Sequence, residues 1–65
     1  MQTTKEALRR IERTANRIFN RAAGIDTTAQ SPADVRAELR IIEDEISAIQ
    51  MAAAAALREL SGGAE

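Results

Sequence analysis

The chain of 65 residues contains no cysteine, no histidine, no tryptophan and no tyrosine. Without cysteine there are no disulfide staples, thiolate nucleophiles or thiolate metal sites. Without histidine there is no imidazole proton shuttle and no His-based triad. Phe19 is the one aromatic residue, which leaves almost no platform for stacking nucleic-acid bases. No apolar run is long enough for a membrane span, and the basic N-terminal stretch leads into no hydrophobic signal segment. The expectation is a small cytoplasmic protein with no membrane partner. Charge is balanced, nine Lys and Arg against ten Asp and Glu, so the chain as a whole is neither a polycation nor an acidic tail.

What is present is mostly helix-forming. Alanine occurs 14 times, beside seven Ile, four Leu, two Met, Val35 and Phe19. Alanine favours helix but buries little area. A single domain this short with so few large apolar side chains is expected to be marginal as a monomer, and self-association is the common remedy.

Two helices are signalled. Thr3 followed by Glu6 has the form of a capping box, and good helix formers then run unbroken to Ala23. Gly24 suits the left-handed position just past a helix end, with Ile25 folding back on the last turn. Residues 24–31 read as a loop. Ser31 can cap the second helix, with Pro32 at its first position and Asp34 three residues after the cap. The expected helices span about 4–23 and 32–60, and residues 61–65 are expected to fray.

The apolar spacing gives the fold class, an all-α antiparallel two-helix hairpin. Leu8, Ile11, Ala15, Ile18 and Ala22 recur at alternating steps of three and four; so do Val35, Leu39, Ile42, Ile46, Ile49, Ala53, Ala56 and Leu60. Both are seams of the coiled-coil kind. Paired outward from the loop, Ala22 lies near Val35, Ile18 near Leu39, Ala15 near Ile42, Ile11 near Ile46 and Leu8 near Ile49. The second helix then overhangs from about Ala53, leaving Ala56, Leu57 and Leu60 wet in a monomer. A separate stripe of Ala37, Ile41, Ala48, Ala52 and Ala55 runs along the second helix. Together with Leu57 and Leu60 it is the candidate oligomer interface, with dimerisation into a four-helix bundle preferred. The bland alternative is that alanine simply fills exposed helix positions.

Charge divides between the helices. The first carries Lys5, Arg9, Arg10, Arg13, Arg17 and Arg21 against Glu6 and Glu12, a net of +4. The second carries Asp34, Glu38, Glu43, Asp44, Glu45 and Glu59 against Arg36, Arg40 and Arg58, a net of −3. Lys5, Arg9, Arg13, Arg17 and Arg21 are spaced by four and form a strip that points away from the expected seam. It is either a solvated face or a candidate surface for an acidic protein patch or a polyanion, since arginine forks suit carboxylates and phosphates alike.

Nothing else carries chemistry. Glu43, Asp44 and Glu45 are consecutive, so on a helix their side chains diverge and cannot converge on one ion. Ser31 and Ser61 sit at helix ends, and Ser47 has no base nearby. The expectation is no enzyme, no cofactor, no metal and no small-molecule substrate. In length and layout, through no shared motif, the chain resembles the plasmid-encoded Rop-type regulators, small helical hairpins that dimerise into four-helix bundles and bind paired RNA loops. Secretion-needle subunits and phage or plasmid accessory hairpins share that layout. The reading is a non-enzymatic interaction or assembly protein, binding itself and another protein. The alternative is a Rop-like nucleic-acid-binding regulator that uses the basic face of the first helix.

Overall fold

The computed structural model describes the backbone of residues 2–64 and the side chains of residues 4–62. Two helices, α1 (Gln2–Ala23) and α2 (Pro32–Ala64), lie antiparallel, and the described residues hold no strand. The rod they form measures 53 × 15 × 10 Å.

The start of α2 follows its sequence signal. Ser31 Oγ accepts the Asp34 N–H at 3.2 Å, and the Ser31 carbonyl accepts the Val35 N–H at 3.0 Å. The first bond satisfies a donor that has no partner within the helix; the second is the first rung of the helical ladder. Three local expectations need correction. First, α1 already includes Gln2, so Thr3 is not its cap residue; the Thr3 side chain lies outside the described residues. The cap comes instead from the other helix, where Glu59 Oε1 accepts the Thr4 N–H at 3.0 Å and also the Thr4 hydroxyl. A carboxylate at this position also meets the positive end of the α1 dipole.

Second, Gly24 does not adopt the left-handed conformation; no described glycine has a positive φ. Its N–H is shared between the carbonyls of Asn20 at 3.2 Å and Arg21 at 3.1 Å, and the Ile25 N–H donates to Ala22 O at 3.2 Å. Tightening the last turn in this way satisfies the Asn20, Arg21 and Ala22 carbonyls without a left-handed residue. Third, α2 runs through Ser61, Gly62 and Gly63 to Ala64. Glycine costs a helix about 1 kcal/mol relative to alanine but, unlike proline, keeps its N–H and can continue the ladder.

The connection is organised by Asp26. Its carboxylate accepts the Thr28 N–H (3.0 Å), the Thr28 hydroxyl (2.6 Å) and the Ala29 N–H (3.3 Å). Gln30 Oε1 in turn accepts the Asp26 N–H at 2.9 Å. This is an Asx-type turn, in which a short side chain replaces backbone partners.

The seam between the helices differs from the expected one. Its α1 side is Thr4, Ala7, Ile11, Thr14, Ile18 and Arg21; its α2 side is Val35, Glu38, Ile42, Glu45, Ile49, Ala52, Ala56 and Glu59, all buried or half-buried. The buried residues among those described are Ala7, Ala52, Ala56 and Thr14, with Ile11 packed on the alanines. Half of the expected apolar seam is therefore in place. The other half, Leu8, Ala15, Ala22, Leu39, Ile46 and Leu60, is exposed. The pairing is shifted as well, by about one turn toward the end of α2, since Thr4 meets Glu59 and Arg21 meets Glu38. Ala56 accordingly lies in the core and not on an overhang. The physical reason is visible in both shifts: alanine against alanine lets the helix axes approach closely, and this rotation brings Glu38, Glu45 and Glu59 within reach of partners on α1.

Candidate interaction surface

The five cations of the expected strip do not share one environment. Arg17 Nε lies 3.1 Å from Glu45 Oε2, and Arg17 Nη2 donates to Thr14 Oγ1 at 3.3 Å. Arg21 Nη1 lies 2.8 Å from Glu38 Oε1, and its Nε is 3.8 Å from Glu45 Oε1. The hydrogen bond from Arg21 to Glu38 raises the guanidinium above its ordinary pKa, and the charges of Glu38 and Glu45 add to this while partial burial opposes it. Arg17 and Arg21 thus pair with α2 within the hairpin. The expectation that the strip points away from the seam is corrected at Arg17, because the rotation of the seam brings Glu45 to that edge. Lys5, Arg9 and Arg13 remain exposed and form no ion pair among the described residues.

Arg10, which the spacing-by-four pattern passes over, belongs with them. Glu6, Arg9, Arg10, Arg13, Thr14 and Arg17 line an open groove of about 550 Å³ with Ala48 at its α2 side. It continues into a smaller recess of about 140 Å³ bounded by Glu6, Ala7, Arg10, Ala52 and Ala55. The arginine strip and the alanine stripe, separate features in the sequence, therefore meet along one groove. Alanine leaves the space there and arginine walls it.

The remaining interface candidates are divided. Ala52 is buried in the hairpin's own core. Ala37, Ile41 and Ala48 are exposed and Ala55 half-buried; by helical rotation of about 100° per residue they fall on the groove side of α2. Leu57 and Leu60 fall on the opposite side. In an antiparallel pair, turning both helices in the same sense carries both to the same side of the hairpin. Leu8 and Phe19 of α1 therefore emerge on the same broad face as Leu39, Ile46, Leu57 and Leu60 of α2. Their exposures run from 44% at Ile46 to 71% at Phe19. Single exposed apolar residues are ordinary, but six large ones along one face are not. The sequence named Leu57 and Leu60 for this role and assigned Leu8, Leu39 and Ile46 to the hairpin core. Phe19, one step off the seam, carried the signal that was missed.

Among the described residues no group of acidic side chains is arranged to hold a metal ion, and no helix is long and apolar enough to cross a membrane. The chain matches no family model, no curated protein and no solved structure.

Proposed function

We propose that this is a non-enzymatic assembly protein that acts by protein–protein binding and is itself a homo-oligomer. One observation carries the reading: the hairpin exposes six large apolar residues on one face while, among the described residues, it buries only three alanines and a threonine. Complete burial of a large aliphatic or aromatic side chain contributes about 1.5–3 kcal/mol. With these six side chains 44–71% exposed, the stabilisation left unused on that face is comparable to the margin by which small domains stay folded. A surface of this composition is the mark of a contact site.

The test is mass and melting. Sedimentation equilibrium is expected to give a multiple of 7.0 kDa. The melting temperature is expected to climb with concentration, a hundredfold increase adding about 2.7 kcal/mol. A 7.0 kDa species that melts at one temperature throughout overturns the reading.

The groove supports a second reading, a nucleic-acid-binding regulator. Arg9, Arg10 and Arg13 line it together and make no ion pair among the described residues. Contacts there would be to phosphates, with little sequence preference. Affinity would fall with salt with a log–log slope of about 2–3 for three phosphates. Changing all three to Gln should abolish binding and leave mass and helicity intact. Retained binding by that variant removes this reading.

A further inference from the structure

The apolar face has a geometry that indicates what covers it. On each helix the apolar stripe is centred about 50° from the line joining the two helices, to the same side on both. In a square bundle of four helices the central axis lies 45° from the line between neighbours, simply by geometry. The stripes of α1 and α2 therefore converge where a bundle axis would run, and a second hairpin completes the square. The rod is 53 Å long and 15 Å wide, so a second hairpin can lie along the face over its whole length.

We infer that a second copy of this chain covers the face, related by a two-fold axis parallel to the helices, so that α1 of each copy lies against α2 of the other and both loops stand at the same end. This rests on the self-association proposed above and specifies it. Two arrangements bring the apolar faces together. A two-fold axis perpendicular to the helices sets α1 on α1, +4 against +4, and α2 on α2, −3 against −3. An axis parallel to them alternates the signs around the bundle, each positive helix flanked by two negative ones.

Side-chain level points the same way. The Thr4–Glu59, Arg17–Glu45 and Arg21–Glu38 contacts fix which residues of α1 and α2 share a level. On that scale Leu8 stands beside Ala53, Ala15 beside Ile46 and Ala22 beside Leu39, a large side chain next to a small one in each layer. A parallel axis keeps every residue at its own level, so this alternation carries over to the contact between copies. At the rim, the Asn16 and Gln50 carboxamides then come level with the Glu43 and Glu12 carboxylates of the other copy, donors opposite acceptors. The perpendicular axis brings Glu12 close to its own copy.

The absence of cysteine allows clean labelling. Thr27 in the loop and Ser61 near the end of α2 are both exposed. The Thr27→Cys and Ser61→Cys variants, each spin-labelled, are measured by dipolar spectroscopy in the protein whose mass has been determined. Helix axes 8–10 Å apart place both label pairs at ~15–30 Å for the parallel axis. For the perpendicular axis the helical rise places both at ~35 Å or more. A dimer with both short distances supports the inference. A dimer with long distances overturns this arrangement and leaves self-association standing. A monomeric mass overturns both.

Discussion

The two broad sides of this hairpin are opposites in how their side chains are satisfied. On the groove side, Arg17 and Arg21 find Glu45 and Glu38 within the chain, and the alanines of α2 sit low between them. On the other side, Leu8, Phe19, Leu39, Ile46, Leu57 and Leu60 are exposed to solvent. The first side carries ion pairs made within the chain; the second carries the larger apolar exposure. A hairpin rotates about its helix axes until its long-range contacts are met, and here ion pairs and an alanine contact set the rotation. The apolar stripe then ends up aimed beside the partner helix instead of at it. Residues that look like the core of a two-helix unit can therefore be half the core of a larger one.

The contrast is broken most directly at Ile46. In an isolated hairpin this side chain is 44% exposed, and Asp there should cost under about 1 kcal/mol. In the bundle it lies near the axis, and an unpaired buried carboxylate adds several kcal/mol to the lost burial. Loss of the dimer and a large drop in melting temperature for Ile46→Asp, read by sedimentation and circular dichroism, is the expected result. A small drop with the mass unchanged assigns Ile46 to a solvent-facing surface.

On the satisfied side the effects are smaller. Glu59→Gln keeps the shape and an acceptor oxygen but removes the charge at the start of α1; Glu59→Ala removes the cap. The second should cost about 1 kcal/mol and the first a fraction of that, measured by denaturant unfolding. Equal losses would make the charge the dominant part. At the loop, Gly24→Ala is expected to stabilise by about 0.5 kcal/mol, since no positive φ is required and the added Cβ would meet only the Arg21 and Asn20 carbonyls at 3.6 Å. A lowered melting temperature would show that glycine is needed there.

The smallest effect is one of pH. The Thr28 hydroxyl and the N–H groups of Thr28 and Ala29 hold the Asp26 carboxyl below its ordinary pKa. The folded value being the lower one, the contribution is complete above the unfolded value of about 4 and disappears as pH falls through the folded value. The Asp26→Asn variant should therefore lose less stability than the parent between neutral and acid pH. Identical acid limbs in the two melting profiles would remove Asp26 from the account.

What was legible in the sequence was local. The Ser31–Pro32–Asp34 start of α2 is fixed by residues three apart, and the end of α1 at Ala23 by the weak formers that follow. The seam was legible as a set of apolar positions but not as a direction. A stripe of alternating three and four steps is wide enough that either edge can face the partner. The choice was made by Glu38, Glu45 and Glu59, whose partners lie 17 to 55 residues away. The same rotation explains why Arg17 and Arg21 left the basic strip and why Arg10 joined the groove. Thr3 was the natural cap by spacing, and only the other helix could supply the actual one.

That cap bears on the order in which the chain acquires structure as it is synthesised. Every residue of α1 has been made long before Glu59, so a nascent chain reaching only residue 58 holds a first helix whose leading amides have no acceptor from α2. The contacts at the loop, where Asp26 and Ser31 use neighbours alone, are available to that shorter chain, whereas the Thr4–Glu59 contact is not. In a chain shortened to end at residue 58, the Thr4 amide should exchange with solvent markedly faster than in the full chain, while the Asp34 amide, held by Ser31, should be little changed.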